Sequence, residues 1–328
     1  MIATDAKTPH CRGFLGQSLT MKVPIGVLMK TSDARHELIV APADNGLTVE
    51  SFLQQAIPAA PVAYLRKLLS GGKICRLDDA VQGGDLLTAG EVILLPDSRR
   101  LVDLLAQSEQ MSVDILYESE QLLMVDKPSG LATHAGQGHA EDNLTARVTG
   151  LLRRRGEHFM VAPIQRLDRE TSGVVLFGKG KKSCSVLGTM MMTAAVTKTY
   201  LALVQGTLSG NETLTDEIPA KGKMKTAVTS YQVLATNGRA SLLQIALATG
   251  RQHQIRRQFQ QIGHPLYGDR RYRGPCPAAL HRLFLHSYRI AFVNPFTNET
   301  LSVTSPLPEE LRAFLDKSGA TGHGPVVL

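Results

Sequence analysis

The 328-residue chain carries 36 Lys and Arg against 29 Asp and Glu, a net charge of +7, with 43% hydrophobic residues, 5% aromatics and no tryptophan. That composition excludes a disordered chain and fits a soluble globular protein with room for two domains and a sizeable core. No apolar run approaches the ~18 residues of a membrane helix, and the start MIATDAKTPHCRGFLG lacks the charged head and apolar stretch of a signal peptide, so a cytoplasmic protein is expected.

The charge is uneven. Residues 1–113 hold 11 Lys/Arg and 12 Asp/Glu, net −1, whereas 114–328 hold 25 and 17, net +8. A basic second part points to a polyanionic partner, RNA or DNA. Cys11, Cys75, Cys184 and Cys276 are dispersed and form no C-x-x-C pair, which argues for free thiols and against a zinc module.

Residues 1–35 give no pattern and are taken as an N-terminal extension. A compact unit over 36–97 follows. HELIVAP reads as a strand, and LTVESFLQQAIP has a helical stripe at Leu47, Val49, Phe52, Leu53 and Ile57. VAYLRKLLSGGK is a second helix stopped by Gly71-Gly72, and KICRL and EVILLP are short strands. Residues 98–113 read as a linker.

A larger unit over 114–317 begins with strands at 115–117 and 122–126, then a Pro- and Gly-rich loop after Lys127-Pro128. NLTARVTGLLRRRG reads as a helix with a basic end. Next come PIQRLDRETSGVVLFGKG and a helix over 181–195. VTKTYLALVQG is β-rich, and TAVTSYQVLAT and ASLLQIALATG are further strands. RQHQIRRQFQQIG is a helix ended by Gly263. RLFLHSYRIAFVNP and TLSVTSP are late strands, LPEELRAFLDK is a closing helix, and the tail 318–328 is expected to be disordered. Strands outnumber helices in mixed order, so the fold class is α+β with a mixed or antiparallel sheet and a small N-terminal α+β domain.

Three stretches can carry chemistry. Asp168 lies between Arg166 and Arg169 where the chain turns from polar to apolar. Flanking cations favour an ionised carboxylate, which suits a nucleophile or an electrostatic role; a surface ion pair has the same signature. In TGRQHQIRRQF, Arg251, His253, Arg256 and Arg257 crowd the start of a helix, where cations call for a phosphate or a carboxylate such as Asp168. A solvated basic face is the alternative. His253 and Arg256 share a face, and Ile255, Phe259 and Ile262 form the expected buried stripe. In TKTYLALVQG, Lys198 and Tyr200 point to one side of a strand, where the tyrosine stacks on a base or closes a core. TSGVV is not a G-x-S-x-G elbow, GKGKK lacks the spacing of a phosphate loop, and the histidines show no metal-ligand pattern. No cofactor and no metal are expected.

Together, LLMVDKPSGLATHAGQG, QRLDRETSGVVLFGK, TKTYLALVQG, TGRQHQIRRQFQQIGHPLYGD and RLFLHS resemble, in order, the RluA-type pseudouridine synthases over roughly 114–315. The resemblance implies isomerisation of uridine in RNA without metal or cofactor. It also implies Asp168 as the catalytic aspartate, Tyr200 as the tyrosine that stacks on the target base, and Arg256 as the arginine paired with the aspartate. Arg166 matches the residue that fills the gap left by the flipped uridine, and Lys127, Arg251 and His253 take structural or RNA-positioning roles. The family block usually begins His-Arg-Leu-Asp; here it begins with Gln165, which hydrogen-bonds but does not titrate. The unit 36–97 resembles an S-four RNA-binding domain, with Thr48 where an arginine is usual and RLDDA in place of the usual turn. Arg66, Lys67, Lys73 and Arg76 are its candidate basic patch. That front domain is commoner in the ribosomal branch, so large-subunit ribosomal RNA is the expected partner, with tRNA as the alternative.

Overall fold

The computed structural model describes residues 29–30, 35–76, 79–136, 142–193, 195–220 and 222–319. Cys11, most of the N-terminal extension and nearly all of the tail lie outside the described residues. Cys75, Cys184 and Cys276 are free. Among the described residues no helix is long and apolar enough to cross a membrane.

The front unit runs β1 (Met29–Lys30), β2 (Arg35–Ile39), α1 (Val49–Ala56), α2 (Val62–Ser70), β3 (Cys75–Arg76), β4 (Asp79–Ala80), β5 (Val92–Pro96) and α3 (Arg99–Gln110). Its strands form one sheet in the order β1-β2-β5-β3-β4. Thr48, at the position where an arginine is usual, is the N-cap of α1, and its hydroxyl accepts from the Ser51 N–H at 3.3 Å. The stretch read as a linker is corrected here. Most of it is helix α3, and Leu101 and Leu105 are buried in the same core as Phe52, Leu53, Leu65 and Leu95. Apolar residues at i and i+4 give α3 a face to bury, which a polar overall composition conceals.

The larger unit comprises β6 (Asp114–Glu118), β7 (Leu122–Lys127), α4 (Leu144–Arg154), β8 (Val161–Pro163), β9 (Ser172–Lys179), α5 (Lys181–Met191), β10 (Thr197–Gln205), β11 (Asn211–Ala220), β12 (Lys223–Thr236), β13 (Ala240–Leu247), α6 (Gln254–Gln261), β14 (Leu285–Val293), β15 (Thr300–Thr304) and α7 (Glu309–Ser318). Its sheet has ten strands, in the order β11-β12-β13-β10-β14-β9-β7-β6, with β15 on β14 and β8 on β9. The β9–β14 pair is parallel and its neighbours are antiparallel, so the sheet is mixed and the α+β class is borne out. Helix α5 stops at Met191 rather than 195. Strand β11 has no counterpart in the sequence reading, because NETLTDEIPA is an edge segment without a clean apolar alternation.

Central β10 is buried on both sides. Leu201 and Leu203 enter one core, with Phe284 and Leu311, while Tyr200, Ala202 and Val204 enter another, with Phe177 and Phe259. This two-sided burial produces the continuous apolar run in its sequence. Beside it, β9 crosses β14 at close range. A Cβ added to Gly173 (φ +112°) would come 2.2 Å from the Ser287 carbonyl oxygen, so only glycine lets these backbones meet. Below this crossing lies a directional chain of hydrogen bonds. Arg282 Nη2 donates to Ser172 Oγ at 2.5 Å, Ser172 donates to His286 Nδ1 at 2.8 Å, and His286 Nε2 donates to the Ser305 carbonyl at 3.0 Å.

Two expectations concern this junction. Gly173→Ala loses roughly 3 kcal/mol or more of unfolding free energy in urea titrations, from overpacking plus a disallowed backbone. The second concerns pH. Burial, with Arg282, pushes the His286 imidazole down to about 4 against the Ser305 hydrogen bond. The unfolded chain therefore takes up a proton below about 6.5 that the fold refuses. Stability tied to neutral His286 is full above that pH and is lost as pH falls toward 4. Asp126, pushed up to about 6 by burial, acts in the opposite sense over much of this range. The difference between wild type and H286Q isolates the histidine. That difference shrinks by up to about 3 kcal/mol between pH 7 and pH 4; a flat difference would show an ordinary imidazole.

Candidate active site

Asp168 sits in the loop between β8 and β9, and backbone contacts position it. Thr133 Oγ1 donates to the Leu167 carbonyl at 2.9 Å and accepts from the Leu167 N–H at 3.1 Å. The Gly130 N–H donates to the Arg169 carbonyl at 2.8 Å, and Ser129 Oγ donates to the Glu170 carbonyl at 2.8 Å. Gln165 clasps β9 from the other side, donating to the Val174 carbonyl and accepting from the Leu176 N–H, both at 3.2 Å. An uncharged side chain that both donates and accepts meets both needs, which gives the departure from His a local role.

Of the two roles expected for Lys127, structural or RNA-positioning, its surroundings fit the structural one. It is fully buried, and its three ammonium hydrogens match the carbonyls of Pro128, Leu131 and Arg169 at 2.9, 2.8 and 3.1 Å. Burial pushes its amine down to about 7, opposed by Asp168, Glu170 and Asp126. It ties the loop after β7 to the Asp168 loop and reaches no solvent.

The cations at Asp168 are not its sequence neighbours. Arg169 donates Nε to the Gly130 carbonyl at 2.9 Å and is exposed. Instead Arg256 Nη1 stands 3.5 Å from Asp168 Oδ2 and His253 Nε2 stands 3.7 Å from the same oxygen. Both come from the start of α6. The helix begins at Gln254, so Arg251 and His253 precede it, and His253 is its N-cap in the left-handed conformation (φ 54°). The Gln254 amide fastens this turn, accepting from Thr249 and the Arg251 N–H and donating to Val228 and Thr229. Of the expected stripe, Ile255 and Phe259 are buried, but Ile262 caps the helix end and is 39% exposed. Gly263 (φ 81°) closes the helix as expected.

Arg256 is divided between two jobs. Its Nε and Nη2 donate side-on to Asp269 at 2.7 and 2.8 Å, which leaves Nη1 for Asp168 and for Glu170 at 3.4 Å. Burial opposes its charge, but Asp269 first, then Asp168 and Glu170, outweigh burial and raise its pKa. Asp269 is buried and also accepts from the Tyr272 N–H at 3.1 Å.

A cavity of about 420 Å³ opens in front of this group. Asp168, Tyr200, Arg256, Arg166, Arg251 and His253 line it, together with Lys225 from β12. Tyr200 closes the core, where it is 7% exposed, and also forms part of the cavity wall. Burial, then the charge of Asp168, against a hydrogen bond from Ser287, push its phenol up to about 12, so it stays protonated at neutral pH. Among the described residues no cluster of His, Cys, Asp and Glu could hold a metal ion.

Residues 121–261, which span the Asp168 loop, Tyr200 and α6, match the family model described as RNA pseudouridylate synthase. The match is to an RNA pseudouridine synthase domain. Such a domain is an isomerase acting on uridine in RNA. The chain is 29% identical to the ribosomal large subunit pseudouridine synthase C of Escherichia coli K12, over 88% of this chain and 98% of that protein. It is also 29% identical to the RNA pseudouridine synthase YhcT of Bacillus subtilis, over 84% of this chain and 95% of that protein. Among solved structures, human RNA pseudouridylate synthase domain containing 4 matches with a TM-score of 0.52 at 22% identity, over 67% of this chain and 97% of that one, a likeness of fold.

Sequence reading of the synthase missed Asp269, Tyr272, Thr133 and Lys225. Asp269 does end the GHPLYGD block, but nothing in spacing joins it to Arg256 thirteen residues earlier. Removing its charge leaves a buried guanidinium under-compensated. D269N is expected to lose about 3 kcal/mol of stability, read by thermal and urea unfolding; a loss under about 0.5 kcal/mol would rank the pair with exposed ones.

Proposed function

We propose that this synthase isomerises uridine in large-subunit ribosomal RNA, with Asp168 as its nucleophile. The observation that carries the reading is a carboxylate on the wall of a base-sized cavity, faced by Arg256 at 3.5 Å and sharing that wall with Tyr200. The choice of RNA is supported by the relative from Escherichia coli, whose name specifies the ribosomal large subunit.

The reaction breaks the bond between ribose C1′ and N1 of uracil, turns the base, and rejoins C1′ to C5. C5 loses a proton and N1 gains one. A base inside a stem cannot turn, so the uridine must be flipped into the cavity. Flipping costs a few kcal/mol, offset by packing on Tyr200 and by Arg166, which is exposed at the rim and fills the vacated space. Asp168 then attacks the base or the sugar, or abstracts a sugar proton. Arg256, held by Asp269, keeps the carboxylate ionised and oriented. Arg251 and Lys225 stand at the same cavity to meet phosphates. The net +8 of residues 114–328 makes binding fall steeply with salt.

In the front unit, Arg66 is paired with Glu50 at 2.8 Å and Arg76 with Glu91 at 3.5 Å, while Lys67 and Lys73 are exposed. We read this unit as an S-four-like module that makes a secondary RNA contact through those lysines.

The test is pseudouridine mapping of total RNA from cells with and without this gene, by carbodiimide-dependent reverse-transcription stops. A stop lost from large-subunit ribosomal RNA, restored by wild type and not by folded D168N, is expected. A stop lost from tRNA instead would overturn the substrate. A D168N protein that restores the stop at the wild-type rate would overturn the nucleophile.

A further inference from the structure

We infer that Tyr272, backed by Arg257, is a positioning residue that sets the tautomer of His253 and so turns the Nε2 proton of that ring toward Asp168. The inference rests on the reading of Asp168 as the nucleophile.

The direction of each hydrogen bond follows from its donor inventory. Arg257 Nε lies 3.0 Å from the Tyr272 hydroxyl, and a guanidinium only donates. The phenol oxygen is therefore the acceptor, and its one proton is free to go to His253 Nδ1, 3.1 Å away. Burial first, with Arg256, Arg271 and Arg257, lowers the imidazole pKa, and Asp168 opposes them. A neutral ring carries one N–H. With Nδ1 accepting, that proton sits on Nε2, which faces Asp168 Oδ2 at 3.7 Å. Arg256 Nη1 approaches the same oxygen at 3.5 Å. The nearest approach of both donors is thus to Oδ2.

The same tyrosine also steadies the second donor. Its ring centre lies 5.2 Å from the Arg256 guanidinium and 5.8 Å from the His253 ring, edge to face. One side chain therefore touches both donors that face Asp168, one through its hydroxyl and one through its face. His253 meanwhile holds a left-handed backbone, a conformation non-glycine residues seldom keep unless their surroundings require it.

Tyr272→Phe separates the two contacts, because it keeps the ring and deletes the hydroxyl. The experiment uses the full chain labelled with ¹⁵N-histidine, with H253Q identifying the His253 signals. In wild type the spectrum is expected to show the proton on Nε2. In Y272F it becomes a mixture of tautomers, and single-turnover conversion of the RNA found by mapping slows about tenfold, the equivalent of one ordinary hydrogen bond, while RNA affinity is unchanged. Arg257→Met, which removes the polarising donor, gives the same mixture and serves if Y272F does not fold. A wild-type proton on Nδ1, or variants with an unchanged tautomer and full rate, would overturn the inference. The tautomer is read without turnover, so its failure is distinct from the failure of the nucleophile, which D168N reports.

Discussion

A buried guanidinium must be surrounded by compensation, and the site is organised around that demand. Arg256 is 4% exposed, and leaving it uncompensated would cost several kcal/mol. Asp269 meets the demand side-on and in doing so fixes the plane of the guanidinium. The edge that remains points at Asp168 and Glu170. A lysine would supply charge but neither the plane nor the division of donors. The rest of α6 serves the same end. Gln254 and Gln258 are buried among Thr229, Val228, Ala227 and Asp216, which pins the helix to the ribbon of β11 and β12.

The opposite wall is held by backbone rather than charge. The loop after β7 and the loop before β9 exchange bonds through Gly130, Thr133, Ser129 and the buried Lys127. The crossing of Gly173 on Ser287 then fixes that wall to β14, which pairs with β10 and hence with Tyr200. The aspartate and the tyrosine are thus parts of one frame.

Much of this was legible in the sequence, for physical reasons that also mark its limits. Asp168, Tyr200 and Arg256 lie in blocks whose residue types are unusual together, and the structure brings all three to one cavity. β10 and β14 are apolar runs with little else they could be. Lys127 was left between a structural and an RNA-positioning role because a lysine is rarely fully buried, and no local pattern announces three converging carbonyls. Helix α3 misled because its two buried leucines sit among charges and glutamines. The partners of Arg256 and His253 were out of reach for a different reason. Asp269 and Tyr272 act through a turn after α6, and a turn's geometry is not periodic. For Asp168, adjacency in sequence pointed to Arg166 and Arg169, whereas the family resemblance pointed to Arg256, which the structure places 3.5 Å away.

The crossing of β9 and β14 has a consequence in time. Ser172 and His286 are 114 residues apart, yet they stand side by side under the Asp168 loop. At synthesis rates of roughly 5–20 residues per second, about 10 s separate the appearance of Asp168 from that of the strand that completes its frame. During that interval the nascent chain already carries basic segments but lacks β14 and the Ser287 support of Tyr200. A partly made chain therefore holds Asp168 without its frame, and the cavity wall is complete only once β14 has been made.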